Sequence, residues 1–281
     1  MDGFSLESVV RRALEEDVGP GDATTRAVVP EEAVATARIV AREPGVLAGS
    51  AAVREVFRQV DARTLVRALL PDGARFKRNT TLFQMEGPAR AILTGERTAL
   101  NFVQRLCGIA TVTARLVERA GPQVRVVDTR KTTPGLRLLE KEAVRAGGGH
   151  NHRMGLYDAV MIKDNHILAA GGIRQAVLRA RAAIPHTMTI TVECESLAQV
   201  DEALEAGADI LLLDNMDPPA LAQAVRHVAG RAVTEASGGV TEETIAAVAA
   251  TGVDLVSVGA LTHSAPALDL SLEIESVRTA A

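Results

Sequence analysis

The stretch that decides the fold is residues 190–215, Ile-Thr-Val-Glu-Cys-Glu-Ser-Leu-Ala-Gln-Val-Asp-Glu-Ala-Leu-Glu-Ala-Gly-Ala-Asp-Ile-Leu-Leu-Leu-Asp-Asn. Two short apolar runs enclose a helical stretch, and each run ends in acid: Glu193-Cys-Glu195 after the first, Asp214-Asn215 after the second. A strand, a helix of about ten residues and another strand make a βαβ unit, which requires a parallel sheet. Working outward, the same rhythm continues on both sides. Strands are predicted at 124–127, 159–162, 187–192, 210–213, 232–234 and 255–258, and helices at 136–145, 172–184, 197–206, 219–229 and 242–250. Ala206-Gly-Ala-Asp-Ile210 recurs as Thr251-Gly-Val-Asp-Leu255, each time entering a strand.

Each predicted strand runs into a charged or glycine-rich segment. In order these are Asp128-Thr-Arg-Lys131, Lys163-Asp-Asn-His166, Glu193-Cys-Glu195, Asp214-Asn215, Glu235-Ala-Ser-Gly-Gly239 and Ser257-Val-Gly-Ala260, and from Glu193 the steps are 21, 21 and 22 residues. Polar chemistry at the C-terminal ends of successive parallel strands marks a β/α barrel. An open doubly wound sheet would populate only the ends near its switch point. The expectation is an α/β protein whose second part is a barrel with fewer than eight strands.

The first hundred residues differ. A charged amphipathic helix opens the chain, and a Gly/Pro-rich loop, Val18-Gly-Pro-Gly-Asp22, follows it. Strands at 35–42 and 82–86 flank a helix at 51–60. A long helix starting near Glu96 carries Leu100, Val103, Cys107, Ala110 and Ala114 on one face and is expected to bridge two domains.

Composition narrows the function. With five Phe, one Tyr and no Trp, the chain lacks the stacking platforms of single-stranded nucleic-acid binders, and its net charge of −4 gives no reason to expect a polyanionic polymer. No apolar run approaches the ~20 residues of a membrane span, and the opening segment is not a signal peptide, so a cytoplasmic location is expected. Cys107 and Cys194 have neither metal-ligand nor redox spacing.

Three constellations carry chemistry. Between Arg125 and His166 lie eight Arg or Lys and three His against five acids, a balance suited to a small polyanion at the barrel mouth. Arg130, Lys131 and Lys163 are the strand-end members, whereas Arg137, Lys141 and Arg145 fall at helical intervals and read as a solvated helix face. Glu193 and Asp214 form a carboxylate pair on neighbouring strand ends, able to bind Mg²⁺, hold sugar hydroxyls, or pair with the cations opposite. The turns Ser237-Gly-Gly239 and Ser257-Val-Gly-Ala260 offer backbone N–H groups for a phosphate. Together they describe a barrel enzyme whose substrate has a phosphate at one end and carboxylates at the other.

Ordered blocks then carry a family resemblance. Glu16-Asp-Val-Gly-Pro-Gly-Asp-Ala-Thr24, Gly95-Glu-Arg-Thr-Ala-Leu-Asn101, Asp128-Thr-Arg-Lys-Thr-Thr-Pro-Gly135, Gly148-Gly-His-Asn-His-Arg153, Ile162-Lys-Asp-Asn-His166, Val192-Glu-Cys-Glu195, Leu213-Asp-Asn-Met216, Glu235-Ala-Ser-Gly-Gly239 and Ser257-Val-Gly-Ala-Leu-Thr262 run the length of the chain. In them the sequence resembles the quinolinate phosphoribosyltransferase family (nicotinate-nucleotide pyrophosphorylase, carboxylating). The resemblance implies an N-terminal α/β sandwich domain (1–108), with 265–281 packing back on it, and an incomplete six- or seven-stranded barrel (109–264). It implies that Thr129, Arg130, Lys131, His152, Arg153 and Lys163 hold quinolinate, and that Glu193 and Asp214 face the ribose and Mg²⁺, directly or through water. Lys131, Lys163, Glu193 and Asp214 would be catalytic, and Ser237, Gly238, Gly239, Ser257, Gly259 and Ala260 would bind the 5′-phosphate of phosphoribosyl pyrophosphate. Arg97 would enter the site of a partner subunit, making a homodimer, or a hexamer assembled from dimers, the working assembly. The implied reaction gives nicotinate mononucleotide, pyrophosphate and CO₂ in NAD biosynthesis. Set against it are a related phosphoribosyltransferase acting on nicotinate, a divergent homologue associated with molybdenum transport, a phosphate-binding barrel aldolase or isomerase using Lys163 as a Schiff base, and a non-catalytic anion binder.

Overall fold

The computed structural model describes residues 5–279; the first four residues of the opening segment and the last two of the 265–281 segment lie outside them. The chain forms two compact units. One takes Met1–Ala114, Thr132–Gly148 and Ser264–Ala281, the other Arg115–Lys131 and Gly149–His263.

In the first unit, four antiparallel strands lie in the order Leu270–Arg278, Val34–Ala41, Thr81–Pro88, Leu65–Ala68. Val34–Ala41 is central, and its alternate residues Ala35, Ala37 and Ile39 are buried, the period-2 pattern of a strand with one face on a core. The helix Ser50–Val60 buries Ala52, Val53, Val56 and Phe57. The long helix begins at Ala89, seven residues before the position expected from sequence. Gly95 lies inside this helix, and a Cβ there would lie 2.8 Å from the Phe57 ring, so the glycine serves close helix packing. The edge strand Leu65–Ala68 has no counterpart in the sequence reading, because it is only four residues long, is interrupted by Arg67 and leaves Leu65 exposed, so it shows no buried apolar periodicity.

Arg137–Ala146 corrects the solvated-face expectation. Arg145 is exposed, but Arg137 is half-buried and Lys141 is buried, next to Glu140, which has no exposed surface.

The second unit is the incomplete barrel. Six parallel strands lie in the order Arg125–Val127, Leu255–Ser257, Val233–Ser237, Ile210–Asp214, Ile190–Cys194, Val160–Ile162. The last barrel strand, Leu255–Ser257, returns beside the first, Arg125–Val127, leaving one seam, between the first barrel strand and the second. The seam edge of the first strand is partly covered: His150 donates to the Val126 carbonyl and accepts from the Asp128 N–H, forming a single parallel bridge with Val127.

The internal repeat has a structural reason. Asp209 Oδ2 accepts from the Ile190 N–H at 2.7 Å, and Asp254 Oδ2 accepts from the Thr234 N–H at 2.8 Å. Each aspartate ties the start of its own strand to the start of the neighbouring one, satisfying a donor that the ladder leaves open. Two predicted boundaries moved. The strand expected from 187 begins at Ile190, because Met188 donates to the Pro185 carbonyl in a turn. The helix expected over 242–250 is Ile245–Ala249, because Thr241 and Thr244 bond locally and hold the preceding residues in turns.

Candidate active site

The C-terminal strand ends of the barrel open into a cavity of about 720 Å³. Thr129, Arg130, Lys131, His152, Arg153, Lys163, Asp214, Ser237, Gly238, Gly239, Ser257, Gly259 and Ala260 all line it. Glu193 does not, but its Oε2 lies 2.8 Å from the Lys163 Nζ, one side chain behind the wall. Arg97 is exposed on the long helix Ala89–Ala120 and belongs to the first unit.

The topology explains the cation cluster. Arg130 and Lys131 follow the first strand, Lys163 ends the second, and the chain over 150–153 runs along the seam at the first strand's end. Asp128, fully buried, accepts the His152 N–H at 2.8 Å and pins this segment to the strand that supplies Arg130. Lys131 is held twice through its backbone: its N–H donates to Thr129 Oγ1 at 3.0 Å, and its carbonyl accepts from the buried Thr262 hydroxyl at 2.8 Å. Thr129 thus shapes the turn that presents Lys131.

The lining carries Arg130, Lys131, Arg153 and Lys163 against the carboxylates Asp214 and Glu235, so an anionic guest restores the balance. Arg153 feels this directly: burial, then the positive field of Arg130, pull its pKa below the ordinary guanidinium value, with Asp158 opposing. Two guanidinium groups in each other's field, one of them part-buried, favour a nearby anion.

On the opposite wall, Gly238 and Gly239 both have positive φ, +96° and +61°. A glycine turn of this kind can offer its backbone N–H groups to an anion, which makes it a candidate nest. Asn215, also left-handed at +54°, donates from Nδ2 to Asp214 Oδ2 at 2.7 Å and orients that carboxylate. The Ser257 hydroxyl is turned to the Ala236 carbonyl at 3.4 Å, so at this turn the backbone is what remains for a ligand.

Sequence reasoning assigned no role to Glu235, Asn215, Thr241 or His263, which also line the cavity. Glu235 sat in the strand-end series and was legible as a candidate by position. His263 ends a helix of four residues, Ala260–His263, too short to leave a periodic pattern. Cys194 is fully buried, and burial pushes its thiol up to about 12, so it is no nucleophile at neutral pH. Among the described residues no three His, Cys, Asp or Glu side chains are grouped to hold a metal ion.

Residues 22–107 match the N-terminal domain of quinolinate phosphoribosyl transferase, and residues 109–273 match its C-terminal domain. A probable nicotinate-nucleotide pyrophosphorylase [carboxylating] of Bacillus subtilis is 43% identical over 275 residues, covering 98% of this chain and 95% of that protein. Quinolinate phosphoribosyltransferase [decarboxylating] 1b of Nicotiana tabacum is 41% identical over 97% of this chain and 83% of its own. The solved structure of the Francisella tularensis nicotinate-nucleotide pyrophosphorylase superposes with a TM-score of 0.93 at 40% identity, covering 98% of both chains. The chain belongs to the quinolinate phosphoribosyltransferase family.

Proposed function

We propose that the chain transfers the phosphoribosyl group of phosphoribosyl pyrophosphate to quinolinate, releasing pyrophosphate and CO₂ and forming nicotinate mononucleotide. The observation that carries this reading is the pairing of Arg130 with Arg153 in a net cationic cavity whose other wall is the Gly238–Gly239 nest. Two neighbouring carboxylates fit two guanidinium groups better than one carboxylate does.

In this reading Arg130 and Arg153 hold the dicarboxylate, and the nest holds the 5′-phosphate. The ring nitrogen is thereby placed in line with C1 of the ribose, and fixing two reactants in this way supplies much of the rate. As the bond from C1 to pyrophosphate breaks, positive charge develops on the sugar, and Asp214, oriented by Asn215, stabilises it. Attack by nitrogen quaternises the ring. CO₂ then leaves the carbon next to the nitrogen, and the electron pair left behind is stabilised by the ring cation and by Lys131 or Lys163 until a proton is taken up. The Lys163–Glu193 pair keeps the Nζ directed, so Glu193 acts on this step through Lys163.

Glu193 and Asp214 fit Mg²⁺ only as partial ligands. Two carboxylates, already bonded to Lys163 and Asn215, suit an ion that brings waters and substrate oxygens of its own. When bound, Mg²⁺ would neutralise charge on the departing pyrophosphate. The smallest working unit in this reading is a homodimer, in which the exposed Arg97 of each protomer serves the other's cavity. Cytoplasmic location fits two buried, unpaired cysteines, and no described helix is long and apolar enough to cross a membrane.

Product analysis by mass spectrometry tests the reading. Nicotinate mononucleotide and CO₂ are expected from quinolinate and phosphoribosyl pyrophosphate with Mg²⁺ and not after chelation, while the melting temperature stays the same with and without the ion. Product from nicotinate in a parallel reaction, and none from quinolinate, overturns the assignment.

The phosphate wall gives a further expectation. At Gly238 a Cβ would lie 2.1 Å from Asn215 Oδ1 and 3.0 Å from its backbone nitrogen, at a φ that L side chains avoid. Gly238→Ala should cost roughly 1–2 kcal/mol of stability and raise KM for phosphoribosyl pyrophosphate about tenfold, leaving KM for quinolinate nearly unchanged. Equal loss for both substrates would place the nest elsewhere.

A further inference from the structure

The cavity contains a carboxylate that the proposed mechanism does not use. Glu235, the middle residue of the strand Val233–Ser237, is 1% exposed, and neither of its side-chain oxygens has a hydrogen-bond partner among the described residues. A carboxylate so far from water is costly unless a counter-charge or donor faces it. What faces it is the His152 ring: Nε2 stands 3.3 Å from Glu235 Oε2, within ion-pair reach though not aligned as a hydrogen bond.

The other ring nitrogen fixes the tautomer. His152 Nδ1 accepts from the backbone N–H of Arg153 at 2.7 Å. A nitrogen that accepts carries no proton, so the ring's proton sits on Nε2, toward Glu235. The segment is anchored further by Asp128, which takes the His152 N–H, and by the Arg153 guanidinium, whose Nη1 donates to the Ala159 carbonyl at 3.2 Å. The ring therefore stands between a buried carboxylate and the backbone of Arg153.

We infer that Glu235 is a positioning residue of the carboxylate site: it holds His152 in the Nε2–H form, so that Nδ1 stays an acceptor and fixes the backbone from which Arg153 reaches the anion. This inference rests on the quinolinate reading. His152, which by resemblance holds a carboxylate, lines the cavity, and its ring also presents Nδ1 to Arg153 and Nε2 to Glu235. Without the Glu235 oxygens the Nε2 proton would lose the carboxylate that faces it, and the Nδ1–H form would become more accessible. With the proton on Nδ1, the ring would confront the Arg153 N–H donor to donor and the arginine would shift.

Two measurements on the full-length protein test this. The first needs no variant: ¹⁵N NMR of histidine-labelled protein, with His152 assigned by its loss in His152→Phe. A protonated Nε2 and an unprotonated Nδ1 are expected; a protonated Nδ1 overturns the inference. The second compares Glu235→Leu with Glu235→Gln. The Leu variant should show mixed tautomers at His152 and a quinolinate KM raised roughly tenfold, with KM for phosphoribosyl pyrophosphate within about twofold, as expected for one lost interaction to a polar partner. The Gln variant, whose amide oxygen still accepts, should keep the wild-type tautomer and recover most of the affinity. An unchanged tautomer and KM in Glu235→Leu overturns the inference. If the wild-type protein does not turn over quinolinate, the substrate reading fails, while the tautomer result still decides whether Glu235 positions His152.

Discussion

Arg130→Ala should lower kcat/KM for quinolinate roughly 10²- to 10³-fold, the effect of about 3–4 kcal/mol, because truncating one partner of a desolvated charge pair costs about 2–5 kcal/mol. The loss should appear mostly as weaker quinolinate binding, measurable by titration calorimetry without turnover. Arg130 lines the cavity, and its positive field acts on the part-buried Arg153. Removing it relieves that repulsion in the empty site but deletes half of the charge that a dicarboxylate would meet, and the second effect is larger once the anion is bound. Arg130→Lys should recover part of the loss only, since a point charge cannot reproduce the planar fork that grips a carboxylate with two parallel hydrogen bonds. Affinity for phosphoribosyl pyrophosphate should change little, because its nest belongs to a different strand end. Unchanged quinolinate binding in Arg130→Ala would remove the basis for the dicarboxylate assignment.

The parts of this site that the sequence announced share one physical property. Strands buried on both faces are nearly continuous in Val, Ile and Leu, so the residue at which polarity returns marks the strand end. That is why Arg130, Lys131, Lys163, Asp214 and the Ser237–Gly239 turn are legible in the sequence as one mouth. What the sequence concealed is burial of charge. A carboxylate at a strand end is written identically whether it faces solvent or, like Glu235, is sealed against a histidine. Helical spacing likewise placed Arg137, Lys141 and Arg145 on one face without showing that the middle of that face is inside the protein. The resemblance supplied His152 as a site residue, but only the geometry showed that its ring turns to Arg153 and Glu235. In the first unit the long helix starts at Ala89, ahead of the start expected near Glu96, and the contact of Gly95 with Phe57 shows that glycine to be a packing residue inside it.

Glu140→Ala should be the most destabilising single substitution in the first unit's polar interior, lowering stability by about 3 kcal/mol, the lower end of what breaking a buried ion pair costs. The lower end applies because Arg105 keeps 30% of its side chain exposed while Glu140 keeps none. Glu140 Oε1 accepts from Arg105 Nε at 2.8 Å and Nη2 at 2.6 Å, and Oε2 accepts from the Thr133 N–H at 3.0 Å. Arg105 Nη2 also donates to Thr133 Oγ1 at 2.8 Å, so one carboxylate and one guanidinium join the long helix, the helix Arg137–Ala146 and the turn that precedes it. Deleting the carboxylate takes two charge-assisted hydrogen bonds from the part-buried Arg105 and the acceptor from the Thr133 N–H. At roughly 2–4 °C per kcal/mol for units of this size, the melting temperature should fall by about 6–12 °C. The Arg105→Met/Glu140→Leu double variant should be more stable than either single variant, because replacing both charges with apolar groups removes the unpaired charge as well as the pair. If instead the double variant lost as much as the sum of its parts, the two side chains would be stabilising the unit independently, and the hydrogen bonds to Thr133 would be the larger contribution.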